Sequence, residues 1–329
     1  MFMVAKTLHP RPPRAFRREP SMTATAPTDP ARAVRGHMQS WDGAAWCLAA
    51  LAVSMDQRAS DEQHEAAVQV LHAAGLPAVI DPGTWLPPST TEGVGGQARA
   101  PLMQLAALVG DPRSGWAQQP KEALIAQGQA SAQSAPLFAQ LLLPHLDGLA
   151  ERLARPGARM LDVGVGVAAQ SIAFADVFAE LTVVGIDVLP RALELAAASV
   201  AASAVADRVV LREQDVSTLA DDACYDLAFV PAPFLPAAAL SGGLLNVVRA
   251  LKPGGWLCLG HGKFGGTALE DALTRLKTCA FGGTALDDGG AHALRIGAGL
   301  VEVRTAPTPP GAPAITVGRR PATSTATSP

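Results

Sequence analysis

The sequence predicts an α/β fold, in which a doubly wound, mostly parallel seven-stranded sheet follows a mainly helical N-terminal domain. From Met160 onward, short apolar runs alternate with helix-length segments, a pattern that produces parallel sheets with right-handed crossovers. The first of these runs ends in an acidic residue and then breaks into a glycine turn that opens a helix. Such a turn brings backbone N–H groups close to a ligand, because glycine has no Cβ to block the approach.

Seven strands are predicted in the C-terminal half of the chain. Five are expected to be parallel, and they cover residues 160–163, 181–186, 208–212, 226–230 and 256–260. The second run is almost wholly apolar, as a strand covered on both faces should be. Residues 300–305 and 314–318 fit an antiparallel pair that closes the sheet, and Lys252-Pro-Gly-Gly is predicted to be a tight turn.

The region before the sheet is predicted to be mainly helical. Helices are expected over 41–55, 65–74 and 102–109, with short strands or a loop over 76–86 and a loop over 87–100. This is the outline of a winged-helix-like domain. A second helical block covers 121–154, with Pro144 dividing it. The predicted boundaries are a disordered leader over 1–36, a helical dimerisation or lid domain over 37–150, a ligand-binding sheet domain over 151–319 and a disordered tail over 320–329.

Composition narrows the classes of partner. The 329 residues carry a net charge of −3, so no general positive field would attract nucleic acid, and we expect no nucleic-acid partner. No apolar run is long enough to cross a bilayer. The four cysteines are far apart, and no C-x-x-C or His/Cys cluster has the spacing of a zinc site. We therefore expect free thiols, no metal, and a soluble protein of the cytoplasm.

The predicted ligand site lies at the carboxyl ends of the strands, where open α/β sheets bind their ligands. Gly164-x-Gly166-x-x-Ala169 alone also satisfies the fingerprint of dinucleotide-binding turns, so an NAD(P)-dependent oxidoreductase is one alternative. Asp162 precedes the turn, and a carboxylate there disfavours a pyrophosphate. Asp187 and Asp215 end the next two strands. This acidic rim favours a ligand with positive charge and no phosphates, and S-adenosyl-L-methionine fits that description.

Residues 157–318 resemble a class I S-adenosylmethionine-dependent methyltransferase, a family with a Rossmann-like sheet. The resemblance is carried by Leu-Asp-Val-Gly-Val-Gly (161–166), Val-Val-Gly-Ile-Asp (183–187), Glu-Gln-Asp-Val (213–216), Tyr-Asp-Leu-Ala-Phe-Val (225–230) and Leu-Lys-Pro-Gly-Gly-Trp (251–256). The third glycine of the family's first motif is replaced by Ala168. The resemblance implies methyl transfer from S-adenosyl-L-methionine to a small-molecule acceptor, on oxygen or on carbon or nitrogen. A non-catalytic cofactor-binding or regulatory protein with this fold is a further alternative.

The resemblance also implies roles for individual residues. Gly164 and Gly166 would approach the methionine part of the cofactor, whose amino group Asp162 would hold. Asp187 would bind the ribose, and Asp215 with the Val216 amide would bind the adenine. The predicted cofactor-binding set is Asp162, Gly164, Gly166, Asp187, Val188, Asp215, Val216 and Pro231. Asp162, Asp187 and Asp215 could instead cap the helical turns that follow them.

The sequence gives fewer indications of the residues that bind or activate the methyl acceptor. Phe234, after the fourth strand, could form a wall of the acceptor site, and His261, after the fifth, is the best candidate for a catalytic base. His145 and His37 are weaker candidates from the N-terminal region, and Gln127-Gly128 could contact the cofactor's carboxylate. Asp226 begins its strand, away from the ligand edge, so we assign it a structural role. A homodimer through the N-terminal helices is expected.

Overall fold

The central sheet contains seven strands: β1 (Ala158–Val163), β2 (Leu181–Asp187), β3 (Val209–Glu213), β4 (Tyr225–Pro231), β5 (Leu251–His261), β6 (Val301–Ala306) and β7 (Ala314–Arg319). Their order is β3-β2-β1-β4-β5-β7-β6. Strands β1 to β5 pair in parallel, whereas β7 is antiparallel to both β5 and β6. The predicted doubly wound, mostly parallel sheet is confirmed. Strand order reverses between β1 and β4, the place where such sheets form a ligand crevice.

Helices precede the sheet and connect its strands. They are α1 (Pro30–Ser54), α2 (Asp61–Ala73), α3 (Thr91–Gly110), α4 (Lys121–Ala132), α5 (Ser134–Leu137), α6 (Leu149–Leu153), α7 (Ala169–Val177), α8 (Pro190–Ala201), α9 (Ala237–Ala250), α10 (Ala268–Phe281) and α11 (Asp288–Gly297). A π-helical turn, Phe138–Leu142, and a 3-10 turn, Leu143–His145, lie between α5 and α6. The 3-10 turn contains Pro144, so the second helical block is divided there, as predicted.

The structure is a computed structural model that describes residues 30–76, 91–113, 115–308 and 312–322. The chain divides into two units, residues 1–44 and 45–329. The short strands or loop predicted over 76–86 lie, apart from residue 76, outside the described residues, so the predicted wing is untested. Helix α1 begins at Pro30, inside the predicted leader. No helix in the described part of the chain has the length and apolar character needed to cross a bilayer.

Both faces of the sheet are buried because neighbouring strand residues point to opposite sides. Met160, Val183 and Leu227 belong to one apolar cluster, which α7 and the helices before β1 complete. Their neighbours Leu161, Val184 and Ala228 belong to a second cluster on the other face, with α9. This alternation is the period of a β-strand, and burial of both faces explains the continuous apolar runs in the sequence.

The loop predicted over 87–100 is wrong for residues 91–100, which form the first half of α3. Its glycines are packing residues rather than helix breakers. A Cβ on Gly96 would lie 2.7 Å from Gln129 Cβ and 2.8 Å from the Ala130 backbone nitrogen. Glycine at this position therefore lets α3 approach α4 closely, and the packing of the two helices compensates for the low helix propensity of glycine.

Two further elements differ from the sequence prediction. Residues 252–255 were predicted to be a turn, but they lie inside β5, where the pairing with β4 shifts register between Tyr225 and Leu227. Helix α11 was not predicted. Its three glycines, Gly289, Gly290 and Gly297, conceal the helical pattern, and the capping bond from Gly290 N to Asp287 Oδ1 (2.7 Å) starts the helix.

Candidate functional site

A cavity of about 400 Å³ opens at the carboxyl ends of β1, β2 and β4, beneath α4 and the residues that precede it. The cavity is lined by every predicted cofactor-binding residue and by Phe234: Asp162, Gly164, Gly166, Asp187, Val188, Asp215, Val216, Pro231 and Phe234. Gln127 and Gly128 of α4 also line it. The fold thus brings these sequence-predicted residues together around one space.

The glycine turn after β1 is held in a fixed shape. The backbone nitrogens of Gly164 and Val165 both donate to Ile186 O, at 2.8 and 3.0 Å. Gly164 and Gly166 have φ of +70° and +56°, in the left-handed region that favours glycine. Ala168 has φ of +62°, although it is not glycine. Ala168 is the N-cap of α7, so the left-handed conformation lies where the turn enters the helix.

Asp162 is a buried carboxyl at the floor of the cavity, with 3% of its surface exposed. Its Oδ2 accepts from Ser171 Oγ at 2.6 Å, and its Oδ1 accepts from Gln170 Nε2 at 3.3 Å. Burial raises the pKa of Asp162 to about 7, and the nearby Asp187 adds to this, while the two hydrogen bonds oppose it. A cationic ligand at this floor would stabilise the carboxylate.

Asp187 lines the cavity and does not cap α8, whose N-cap is Leu189 with no side-chain capping bond. Its Oδ2 accepts from Gly166 N at 2.9 Å, and its Oδ1 accepts from Leu189 N at 3.0 Å. Burial raises the pKa of Asp187, and these backbone N–H groups oppose the rise. A carboxylate has about four acceptor positions, so each oxygen can still accept a ligand hydroxyl.

Asp215 and Val216 lie at the cavity beyond β3. Asp215 Oδ1 accepts from Ser217 N at 2.7 Å, so the capping alternative is realised at this residue. Val216 is buried against α9, where a Cβ on Gly243 would lie 2.6 Å from Val216 Cγ1. Val188 is 55% exposed and offers an apolar side chain to the cavity.

His261 does not line the cavity. It is the last residue of β5, pairs with Ala314 of β7 and has no exposed surface. Its Nδ1 lies 2.9 Å from Gly262 O and its Nε2 lies 2.8 Å from Thr316 Oγ1, and burial lowers its pKa. The predicted catalytic position is therefore corrected: the sequence located the strand end, but the side chain is buried within the sheet domain.

The two weaker histidine candidates also lie elsewhere. His145 belongs to the 3-10 turn before α6, and its carbonyl oxygen accepts a hydrogen bond from Arg304. His37 stacks on Trp41 within α1, with ring centroids 5.3 Å apart. Neither is among the described residues that line the cavity. Asp226 has its predicted structural role, since it pairs with Lys252 Nζ at 2.6 Å and with Arg152 Nη1 at 3.4 Å.

An aromatic cluster forms one wall of the cavity, and two of its members were missed by the sequence analysis. Phe234 stacks on Phe281, with ring centroids 4.8 Å apart and planes 16° apart. Trp116 meets Phe234 edge-on at 4.8 Å and Phe281 at 5.8 Å. Trp116 precedes α4 and Phe281 ends α10, so only tertiary structure brings them to Phe234. All three line the cavity.

Comparison with solved structures finds the same architecture over most of the chain. An O-methyltransferase family protein from Burkholderia thailandensis has a TM-score of 0.58 and 17% identity, covering 90% of this chain and 99% of its own. Human N-acetylserotonin methyltransferase, solved in complex with S-adenosylmethionine, has 0.56 and 16%, covering 91% and 100%. Mitomycin 7-O-methyltransferase has 0.54 and 18%, covering 88% and 98%. At these identities the likeness shows the fold.

A family model described as a methyltransferase domain matches residues 160–255. This part of the chain is therefore a methyltransferase domain. The matched range runs from β1 into β5 and includes the turn at Gly164 and the three carboxylates Asp162, Asp187 and Asp215. A search of curated protein sequences found no match.

The methyltransferase domain uses S-adenosylmethionine, and the residues at the cavity fit this cofactor. The cavity-lining ionisable side chains in the described part of the chain are Asp162, Asp187 and Asp215. A ligand with sulfonium and ammonium groups complements these carboxylates, and a pyrophosphate does not. Gly164 and Gly166 present backbone rather than side chains to the space beside Asp162.

Proposed function

We propose that this enzyme transfers the methyl group of S-adenosylmethionine to a small molecule bound against Trp116, Phe234 and Phe281. The observation that carries the proposal is that a single cavity contains both the acidic turn after β1 and the aromatic cluster after β4. Strands β1 and β4 are adjacent, so the two sites share a boundary. Pro231 lies at that boundary, with its Cγ 3.7 Å from where a Cβ on Gly164 would be.

The cofactor roles follow from the contacts of each residue. Asp162, held by Ser171 and Gln170, would bind the cofactor's ammonium group, with the turn at Gly164 and Gly166 beside it. Asp187 would accept from the ribose hydroxyls, and Val188 would contact the adenine face. Asp215 and the Val216 amide would bind the adenine edge, and Pro231 would border the methyl group.

When bound, the cofactor supplies an electrophilic methyl group on a sulfonium. The chain contributes alignment and exclusion of water, which are the main requirements of an in-line displacement. The aromatic cluster would orient a flat acceptor by its apolar faces. The described residues that line the cavity offer no histidine, lysine or tyrosine as a base, so the rate should follow the ionisation of the acceptor itself.

Calorimetric titration with S-adenosylhomocysteine and with NADH tests the cofactor assignment. We expect binding of S-adenosylhomocysteine alone, and a protein that binds only NADH would contradict the proposal.

Asp187→Ala should weaken the binding of S-adenosylhomocysteine by about 2 kcal/mol or more, since hydrogen bonds to a charged group are lost. Methyl transfer to a panel of acceptors would distinguish an enzyme from a non-catalytic binding protein. The variant Phe234→Ala tests whether the acceptor binds against the aromatic cluster.

We further propose a homodimer formed through the N-terminal helices, in a reducing compartment such as the cytoplasm. Val34, Met38 and Trp41 follow helical spacing on α1, and they are 51%, 57% and 59% exposed. An exposed apolar stripe of this kind is typical of a protein–protein contact. Light scattering after size exclusion should give twice the mass of one chain, and Met38→Glu with Trp41→Glu should give the mass of one.

A further inference from the structure

The segment Gly115–Pro120, here named the strap, joins the N-terminal helices to α4 and lies along the cavity. Gly115, Trp116, Ala117 and Gln118 all line the cavity. The strap contains one 3-10 turn, closed by the bonds from Gln118 N to Gly115 O (3.1 Å) and from Gln119 N to Trp116 O (3.2 Å). A single turn has little stability of its own, so the position of the strap depends on its attachments.

The strap is attached to the sheet domain at two points. On the acceptor side, Trp116 packs its indole edge-on against Phe234 and Phe281. On the cofactor side, Arg191 Nη2 donates a hydrogen bond to Gln119 O. Arg191 is in the first turn of α8, shortly after Asp187, and Gln119 is only 2% exposed. The guanidinium therefore holds the strap beside the residues assigned to the ribose.

We propose that Arg191 is a positioning residue that latches the strap over the cavity, so that cofactor exchange requires this bond to open. The proposal rests on the proposed cofactor site. The bond joins Arg191 to Gln119 and does not involve the cofactor. Breaking it should therefore loosen the strap to the same extent with and without cofactor. A looser gate raises the rate constants for cofactor entry and exit by the same factor, and it leaves the dissociation constant unchanged.

Arg191→Met tests the latch, because it keeps a long apolar side chain and removes the guanidinium. Arg155→Met is the matched control, since Arg155 is an exposed arginine near the amino end of β1. Stopped-flow tryptophan fluorescence with S-adenosylhomocysteine gives both rate constants, and calorimetry gives the dissociation constant. We expect Arg191→Met to raise association and dissociation at least about fivefold each, the size expected for loss of one charge-assisted hydrogen bond. The dissociation constant should stay within about twofold, and Arg155→Met should match the wild type.

Other outcomes would overturn the latch. If only dissociation accelerates, Arg191 contributes to cofactor affinity rather than to gating, and if neither rate changes in a protein of unchanged melting temperature, the bond does not control exchange. Should Arg191→Met fail to fold, Arg191→Lys is measured instead. It should accelerate both rates by a smaller factor, because a lysine can still donate one bond. A wild type that does not bind S-adenosylhomocysteine would contradict the proposed function, which the variants do not test.

Discussion

Asp162 places folding and cofactor binding in opposition. Its carboxyl is buried, and its pKa is raised to about 7 from 3.8. Between about pH 4 and pH 7 the folded protein therefore keeps a proton that the unfolded chain has released. Stability falls as pH rises whenever the native state binds more protons. This group therefore destabilises the cofactor-free fold increasingly up to neutral pH, and the raised pKa of Asp187 acts in the same direction.

Asp162→Asn should make the cofactor-free protein more stable at neutral pH, by on the order of 2 kcal/mol. The stability difference from the wild type should shrink as pH falls toward about 4, because the wild-type carboxyl then becomes protonated. Urea unfolding at about pH 5 and about pH 8 measures this. Asp176→Asn is the control, since Asp176 is an exposed carboxylate on α7. A variant that is less stable than the wild type at both pH values would contradict the burial argument.

The same Asp162→Asn variant should bind S-adenosylhomocysteine at least about tenfold more weakly, since a charged hydrogen bond to the ammonium group is lost. Wild-type affinity should fall as pH drops below about 7, because protonation of Asp162 must be reversed on binding. The variant should lose most of this pH dependence. Calorimetry in two buffers of different ionisation enthalpy would detect the proton released by the wild type. Equal proton release by both proteins would assign it to another group.

His261 is expected to support the fold and not the reaction. Burial lowers its pKa below 6.5. Between this lowered pKa and pH 6.5 the unfolded chain binds more protons than the folded protein, so stability falls as pH decreases through that range. His261→Asn should lower the melting temperature near neutral pH, because the contact with Thr316 is disturbed. It should leave the affinity for S-adenosylhomocysteine within about twofold, as the side chain does not line the cavity. A normal melting temperature with lost methyl transfer would restore its catalytic role.

At the scale of elements, the position of α4 above the turn after β1 depends on the absence of a side chain at Gly128. A Cβ on Gly128 would lie 2.2 Å from Val167 Cγ2. Gly128→Ala should therefore destabilise the protein by about 1–3 kcal/mol through overpacking, although alanine is the better helix former. Gly43→Ala, within α1, should be neutral or stabilising, because beyond the neighbouring backbone of α1 the added Cβ would meet no described atom within 4 Å.

A double-mutant cycle links the effect of Gly128→Ala to its proposed contact. Val167→Ala in the Gly128→Ala background should restore part of the stability and of the affinity for S-adenosylhomocysteine, because the added methyl then has room. Thermal unfolding and calorimetry measure the two quantities. Additive effects of the two substitutions would show that α4 does not rest on Val167.

Sequence reasoning succeeded where a local pattern carried the information. The strands of the sheet, the turn at Gly164 and the carboxylates at the strand ends follow from short motifs whose meaning is set by adjacent residues. It failed where packing reverses a local preference, as at Gly96 of α3, where glycine serves helix contact. Trp116 and Phe281 join Phe234 only through tertiary structure, and no spacing in the sequence signals this. His261 shows the remaining limit, since a strand end fixes a position but not the direction of its side chain.

For the molecule as a whole, the charge of the cavity should select among acceptors. The described ionisable residues that line it are Asp162, Asp187 and Asp215, and bound cofactor compensates only part of this charge. One uncompensated charge about 10 Å from an acceptor contributes about 1 kcal/mol at an effective dielectric constant of about 30. We therefore expect the acceptor site to prefer a cationic or neutral molecule over an anionic one of the same shape.

Three compounds of matched shape test this preference in protein saturated with S-adenosylhomocysteine: naphthylmethylamine, naphthylmethanol and naphthoate. The amine should bind more tightly than naphthoate by about fivefold at low salt, and the alcohol should lie between them and report stacking on the aromatic cluster alone. Added salt should reduce the difference, since screening weakens exposed charge interactions. Asp215→Asn should also reduce it, because Asp215 is the carboxylate of the three with the least burial. Tighter binding of naphthoate would mean that a cationic group, rather than these carboxylates, sets acceptor selection.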